Sequence, residues 1–133
     1  MREWYSRLSS PVYRCLLLLG VVALLISPPS LLARDAHEQA RIDFLLHRVE
    51  TSIGITFVRN GAEHDGRAAA AHLREKLGFA GARVATAEDF IKYCASESSL
   101  THQKYKIRLA DKSVVDAADY FRAELRKFDE TRQ

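Results

Sequence analysis

An uncharged apolar run of 12 residues, 15–26, divides the chain into two parts of different kinds. Three arginines precede the run, and two prolines and then Leu31-Leu32-Ala33 follow it. This order of basic, apolar and small-residue regions is typical of a secretory signal peptide. A helix of 12 residues rises about 18 Å, less than the roughly 30 Å hydrocarbon core of a bilayer. We therefore expect residues 1–33 to be a signal peptide cleaved after Ala33. The alternative is that residues 15–33 stay in place as a membrane anchor.

Cleavage would leave residues 34–133, a length typical of a single domain. Cys15 would leave with the leader, so that Cys94 would be the only cysteine. No disulfide can then form within the chain, even in an oxidising compartment. The domain must be stabilised by its hydrophobic core, and about 100 residues are enough to build one.

The charge of the chain excludes a nucleic-acid-binding surface of the usual kind. The formal charge is +3, but residues 1–33 hold three arginines against one glutamate. Residues 34–133 hold 17 basic against 16 acidic side chains, interspersed along the sequence. A phosphate backbone is bound by a concentrated basic stripe, and none is present. We expect no nucleic-acid partner.

The spacing of apolar residues predicts four helices. They cover about 35–52, about 63–77 with Gly78 as the terminating residue, a third segment from Thr86, and a last segment from Asp116. Three of these starts carry a favourable N-cap, Asp35, Thr86 or Asp116, and glycine is the favoured residue after a helix end. On the third helix, Cys94 shares the inner face with Phe90 and Ile91, which predicts a buried thiol that packs as a small hydrophobe. The first helix shows the spacing i, i+3, i+4 and i+7 at Ile42, Leu45, Leu46 and Val49.

Two further segments are predicted to be extended. Residues 53–58 are β-branched and aromatic and read as a connection, closed by a turn at Arg59-Asn60-Gly61 in which Gly61 takes a positive φ. Residues 104–109 alternate apolar and basic side chains and, with residues 114–115, form a short hairpin. The sequence therefore predicts a mainly α, single-domain helical fold with one short β-hairpin before the last helix.

The order and spacing of short motifs over nearly all of residues 34–133 resemble one family. The motifs are Ala36-His37-Glu38, Ala40-Arg41-Ile42, Thr56-Phe57-Val58-Arg59-Asn60-Gly61, Glu63-His64, Ala71-His72-Leu73-Arg74, Lys76-Leu77-Gly78, Thr86-Ala87-Glu88, Phe90-Ile91, Ala95-Ser96 and Ser98-Ser99. They are similar to those of the YfeK-like proteins, the domain-of-unknown-function family 5329 of proteobacterial envelope proteins. The chain departs from the family at His102-Gln103-Lys104-Tyr105, where similar members read Gly-Lys-Pro-Tyr, and at Ile55, where some carry cysteine.

The resemblance implies export in a Gram-negative bacterium and assigns no activity. With the leader cleaved, it implies a periplasmic protein; with the leader retained, it implies a protein anchored in the inner membrane by residues 15–33. The expected partner is an unknown envelope protein or a small anionic ligand, and a membrane only in the anchored form.

One set of polar residues is a candidate anion site. His72 and Lys76 lie four residues apart on the second predicted helix, and Arg59 lies on the turn that leads into it. With a serine-rich loop they would form a cleft of hydrogen-bond donors. The alternative is that these residues have structural roles: they would form a turn, end a helix, or lie hydrogen-bonded at the boundary of the core. The full candidate set is Arg59, Asn60, His72, Lys76, Ser98, Ser99 and Tyr105.

Two classes of function remain after these observations. One is a binding or interaction module of the cell envelope; the other is a small hydrolase-like enzyme in which His72 activates Ser98 or Ser99. We favour the first, because no catalytic motif, metal-binding motif or cofactor-binding motif is complete in the sequence. We therefore assign no catalytic residue and expect no metal and no cofactor.

Overall fold

Four helices and a four-stranded antiparallel sheet make up residues 34–132, the part of the chain that this computed structural model describes. The predicted signal peptide, residues 1–33, lies outside the described residues. Within residues 34–132, no helix combines the length and the apolar character needed to cross a membrane. The helices are α1 (Ala36–Glu50), α2 (Gly66–Ala80), α3 (Ala87–Phe90), which continues as a π-helical turn (Ile91–Ala95), and α4 (Ala117–Glu130).

The sheet is built from two hairpins that meet side by side. The strands are β1 (Thr56–Arg59), β2 (Ala62–His64), β3 (Lys106–Arg108) and β4 (Val114–Asp116), in the spatial order β2-β1-β3-β4. In the centre, Phe57 of β1 lies opposite His64 on one side and Ile107 on the other. β1 is therefore an interior strand of the sheet.

The mainly α prediction with a single hairpin is wrong, because a mixed α+β fold with four strands is present. Residues 53–58 were predicted to be a connection, and β1 forms there instead. The predicted second helix was placed too early. Residues 62–64 are β2, and α2 begins at Gly66 after the N-cap Asp65, whose side chain accepts a hydrogen bond from the Ala68 N–H at 2.8 Å. The helix also continues through Gly78 and ends at Ala80. The predicted hairpin before the last helix is present as β3 and β4.

The core lies between the sheet and the helices and is dominated by large apolar side chains. Phe90 and Phe121 are almost fully buried and meet edge to face, with ring centroids 6.4 Å apart. Aromatic pairs of this geometry contribute more than their buried area alone. Cys94 is completely buried beside them, as its spacing predicted, and burial raises the pKa of its thiol.

The two-residue turn between β1 and β2 has the backbone conformation that tight hairpins favour. Asn60 and Gly61 have φ values of 49° and 78°, so Gly61 takes the positive φ that was predicted. The predicted location of this turn before a helix is wrong, because the turn joins two strands. Left-handed dihedrals at both positions match the twist of the strands, and Asn-Gly is the preferred pair for them.

Replacing Gly61 by valine should destabilise the protein by about 1 kcal/mol or more, because a β-branched residue is strained at positive φ. Apart from the two adjoining residues, no atom of residues 34–132 lies within 4 Å of the Cβ position, so the cost comes from the backbone conformation and not from crowding. Thermal unfolding measures the effect. Gly61→Asn, which tolerates the left-handed region, is the matched control and should lose much less. Equal melting temperatures for the two variants would contradict the prediction.

Candidate functional site

A small pocket of about 50 Å³ lies where the sheet meets α2 and α4. Its buried walls are apolar, and its more exposed side carries polar groups. The apolar side chains are Phe57, Leu73, Ala95, Ala117 and Phe121. The polar side chains are Arg59, His64, His72, Tyr105 and Lys106.

Local structure explains why these side chains meet. Phe57 and Arg59 are two residues apart on β1, so both point to the same face of the sheet. His72 and Leu73 lie on the side of α2 that faces the pocket. The π-helical turn that carries Ala95 is completed by Ser96, whose hydroxyl donates to a backbone carbonyl of that turn at 2.6 Å. π-Helical turns occur often at functional sites.

Tyr105 connects the polar residues of the pocket. Its hydroxyl lies 3.2 Å from Nε2 of His72 and 3.5 Å from Nζ of Lys76. The Lys76 ammonium also lies 5.0 Å from the centre of the Tyr105 ring and donates a hydrogen bond to the Glu97 carbonyl at 2.6 Å. Lys76 does not itself line the pocket; its contact with the pocket is by way of the Tyr105 side chain.

Arg59 is the cation at this site that has no counter-charge among residues 34–132. No carboxylate of the described chain lies within 4 Å of its guanidinium, and its side chain makes no hydrogen bond there. By contrast, Lys106 is paired with Asp116. The guanidinium is a planar fork of five N–H donors, which matches carboxylates and phosphates.

The surroundings of His72 and Tyr105 keep both groups neutral at neutral pH. Burial and the nearby charges of Arg59 and Lys76 lower the pKa of His72 below its usual 6.5. Burial raises the pKa of Tyr105, so the phenol keeps its hydrogen. His72 is therefore an uncharged imidazole and Tyr105 a hydrogen-bond donor under ordinary conditions.

His64 belongs to the pocket, although the candidate set left it out. Its Nε2 atom is buried and finds no hydrogen-bond partner within the described residues. Buried polar atoms nearly always have a partner, so this nitrogen points to an occupant that supplies one. The sequence does contain an indication of this position. If Asn60-Gly61 is taken as the two-residue turn of a hairpin, the register that follows places His64 directly opposite Phe57.

Three of the candidate residues lie away from the pocket. The Asn60 side chain accepts a hydrogen bond from the Thr101 hydroxyl at 2.8 Å, which ties the β1–β2 turn to the 96–103 loop. Ser98 is buried, and its hydroxyl accepts from two backbone N–H groups of that loop. Ser99 is exposed. Within residues 34–132 no hydrogen bond joins His72 to either serine, which is the contact that a hydrolase mechanism requires.

The described part of the chain contains no cluster of metal-binding side chains. Between residues 34 and 132, no three His, Cys, Asp or Glu side chains are grouped so that they could hold a metal ion. The polar side chains that line the pocket offer guanidinium, ammonium, imidazole and phenol groups.

Comparisons with known proteins place nearly all of the described chain in a single match. A sequence model of the family of unknown function DUF5329 matches residues 36–129. The chain is 45% identical over 86 residues to a protein of Salmonella typhimurium (strain LT2) named "Uncharacterized protein YfeK", a match that covers 65% of this chain and 72% of that protein. No solved structure matches the chain. Every polar residue of the pocket lies within the range that the family model matches.

Proposed function

Since the chain belongs to the DUF5329 family, whose function is unknown, we propose its function from the pocket: it is an exported binding protein of the cell envelope that holds a small anionic ligand against Arg59. The leader pattern of residues 1–33 supports export to the periplasm. The pocket supports binding rather than catalysis, because the hydroxyl that contacts His72 is the Tyr105 phenol, which keeps its hydrogen, and within residues 34–132 neither Ser98 nor Ser99 is hydrogen-bonded to His72.

The observation that carries this proposal is the position of Arg59. The partly exposed guanidinium of Arg59 has no carboxylate neighbour in the described chain, so its N–H donors are available to an anion that enters the pocket. The Lys76 ammonium lies against the ring of Tyr105 and adds positive charge beside the pocket. An anion between these groups would be stabilised by charge-assisted hydrogen bonds, which are stronger than neutral ones.

Anion-dependent thermal stabilisation tests the proposal. We expect the melting temperature of residues 34–133 to rise in at least one member of a panel of small carboxylates, phosphate and sulfate, compared with chloride at equal ionic strength. Binding at 100 times the dissociation constant stabilises a protein by about 2.7 kcal/mol, which is about 10 °C or more for a domain of this size.

Arg59→Gln should abolish that stabilisation and leave the circular dichroism spectrum unchanged. The matched control is Arg126→Gln, which removes the same charge from an exposed position on α4 away from the pocket. The control should keep the full response to the anion. The proposed binding function would be wrong if the anion raised the melting temperature of Arg59→Gln as much as that of Arg126→Gln. It would also be wrong if no anion of the panel stabilised the protein.

Export makes a separate prediction about the leader. The exported protein should begin at Arg34, because cleavage after Ala33 satisfies the preference for a small residue at that position. The intact mass of the protein recovered from the periplasm measures this. Trp4 is the only tryptophan of the chain, so the mature protein should show no indole fluorescence. Indole emission from the purified exported form would instead favour the retained anchor.

A further inference from the structure

The pocket is amphipathic, and this limits what kind of anion it suits. Five wall residues are at most 7% exposed, whereas Ala68 is exposed and Ala69 partly exposed; the five are Phe57, Leu73, Ala95, Ala117 and Phe121. The side chains of Arg59 and His72 are partly exposed and lie at the solvent side. A ligand that fills such a site has an apolar part inside and a charged part outside.

The donors at the solvent side suit one negative charge better than two. Arg59 contributes a full positive charge, whereas His72 is neutral and Lys106 is offset by Asp116. Lys76 lies behind Tyr105 and outside the pocket lining, and two of its three donors are directed to the Glu97 carbonyl and the Tyr105 hydroxyl. A phosphate dianion would lack enough donors here, whereas a carboxylate needs one arginine fork and one or two further donors.

Tyr105 is placed to supply such a further donor. Lys76 can only donate, so it donates to the phenol oxygen. In the tautomer that carries its hydrogen on Nε2, His72 donates to the same oxygen. The phenol hydrogen is then available for an acceptor in the pocket. Nε2 of His64, buried and without a partner in the described residues, offers another polar contact on the wall.

Building on the anion-binding function proposed above, we infer that the ligand is a small monocarboxylate with a short branched apolar chain. Its carboxylate lies against the Arg59 guanidinium and the Tyr105 hydroxyl, and its apolar chain lies between Phe57, Leu73 and Phe121. The carboxylate is planar and accepts two parallel N–H bonds from the guanidinium, which fixes the direction of the chain into the pocket.

The volume of the pocket sets the size of the apolar chain. A dry cavity of about 150 Å³ holds a benzene ring, and this pocket has about a third of that volume. On this scale a chain of about two or three carbon atoms fits, and an aromatic ring does not. Each additional buried methylene group should tighten binding about fourfold, the equivalent of about 0.8 kcal/mol.

A series of matched ligands tests this inference by titration calorimetry on residues 34–133. The probes are acetate, isobutyrate, benzoate, the neutral isobutyramide, and inorganic phosphate. We expect isobutyrate to bind more than about tenfold more tightly than acetate, because it buries two more carbon atoms and each contributes about fourfold. Benzoate should bind no better than acetate, since its ring exceeds the pocket, and isobutyramide should bind at least tenfold more weakly than isobutyrate, since it lacks the charge.

Pocket-filling variants separate the apolar contact from the charge. Ala69→Leu places a larger side chain in the pocket wall on α2 and should make isobutyrate bind no better than acetate, with acetate affinity retained. Ala68→Leu, at an exposed position of the same wall, serves if the first variant does not fold. The matched control is Ala71→Leu, an exposed position of α2 outside the pocket, which should keep the preference for isobutyrate over acetate.

The outcomes distinguish this inference from the proposed function. Phosphate that binds as tightly as isobutyrate, with loss in Arg59→Gln, would overturn the monocarboxylate and leave anion binding standing. Equal affinity for isobutyrate and isobutyramide, unchanged in Arg59→Gln, would overturn both. So would the absence of Arg59-dependent binding for every probe. Retention of the isobutyrate preference in a folded pocket-filling variant would place the apolar chain elsewhere and overturn the inference.

Discussion

Gly66→Ala should destabilise the protein by about 3 kcal/mol, at the upper end of what overpacking costs, because the added carbon collides with backbone and not with a flexible side chain. An ideal Cβ at Gly66 would lie 2.2 Å from the Val49 carbonyl oxygen and 2.7 Å from Oγ of Ser52. α1 and α2 would have to separate at the point where they are closest. Urea denaturation measures the loss as a lower midpoint with an unchanged slope.

A second glycine of the same helix provides the control for this variant. Gly78 lies within α2, and in the described part of the chain no atom outside its own stretch of helix lies within 4 Å of its Cβ position. Gly78→Ala should therefore stabilise the protein by up to about 1 kcal/mol through helix propensity. The two variants make the same chemical change in the same helix with opposite expected signs. A stable Gly66→Ala protein would mean that α1 and α2 do not approach each other at this residue.

Gly66 also shows why contacts between distant parts of the chain could not be predicted from the sequence. In the sequence it looks like any glycine near a helix start, and the predicted helix began three residues before it. The requirement for a missing Cβ arises from the α1–α2 crossing, which joins parts of the chain that periodicity treats separately. By contrast, the apolar stripe of α1 is a local property, and Ile42 and Val49 are buried as predicted.

The sheet was missed for a similar reason. β1 and β2 are four and three residues long, too short for alternation to be recognised. The pairing that makes β1 an interior strand joins Phe57 to Ile107, fifty positions further along the chain. The Asn60-Gly61 turn was recognised, but the short segment after it was assigned to the helix that follows.

The candidate site was predicted in part, and the reason lies in the same hairpin. His72 and Tyr105 meet in hydrogen-bond contact, and Arg59 lies beside them in one pocket. These residues were selected for proximity to α2 and for their chemistry. Asn60 and Ser98 serve the 96–103 loop instead, because short polar side chains readily bond to nearby backbone or loop groups. His64 is missing from the predicted site because the sequence predicts the start of a helix where the strand β2 lies.

Arg41→Met should destabilise the protein by about 3 kcal/mol near neutral pH, because it leaves two carboxylates without their shared cation. The Arg41 guanidinium is 16% exposed and bonds Asp129 of α4 at 2.8 Å and Glu38 of α1 at 2.9 Å. Glu38 also accepts the Ala87 N–H at 2.7 Å, so that the cluster links three helices. Methionine replaces the apolar stem of arginine but none of its hydrogen bonds. Urea denaturation measures the loss.

The pH dependence of this loss identifies its cause. Burial alone would raise the pKa of Glu38, but the Ala87 N–H and Arg41 outweigh burial and hold it below its usual 4.5. A carboxyl whose pKa is lower in the folded state stabilises the protein above the unfolded pKa and loses that contribution as the pH falls through the folded value. The wild type should therefore lose stability on acidification to about pH 4 and below. In Arg41→Met, Glu38 no longer has the cation that helps to hold its pKa down, so acidification costs the variant less stability than it costs the wild type, and the difference between their free energies of unfolding shrinks.

Comparison with a surface arginine separates this electrostatic role from the loss of any long side chain. Arg126→Met, at an exposed position of α4, should change stability by less than about 0.5 kcal/mol at either pH. If Arg41→Met lost as much stability at about pH 4 as at neutral pH, lost packing of the arginine stem would explain the effect better than lost charge. A difference that narrows with acid instead requires that the ionised Glu38 carboxylate is stabilised in the folded protein by Arg41, which also bonds Asp129 of α4. That arrangement would fix the start of α1 against the end of α4, at the opposite end of α1 from the Gly66 crossing.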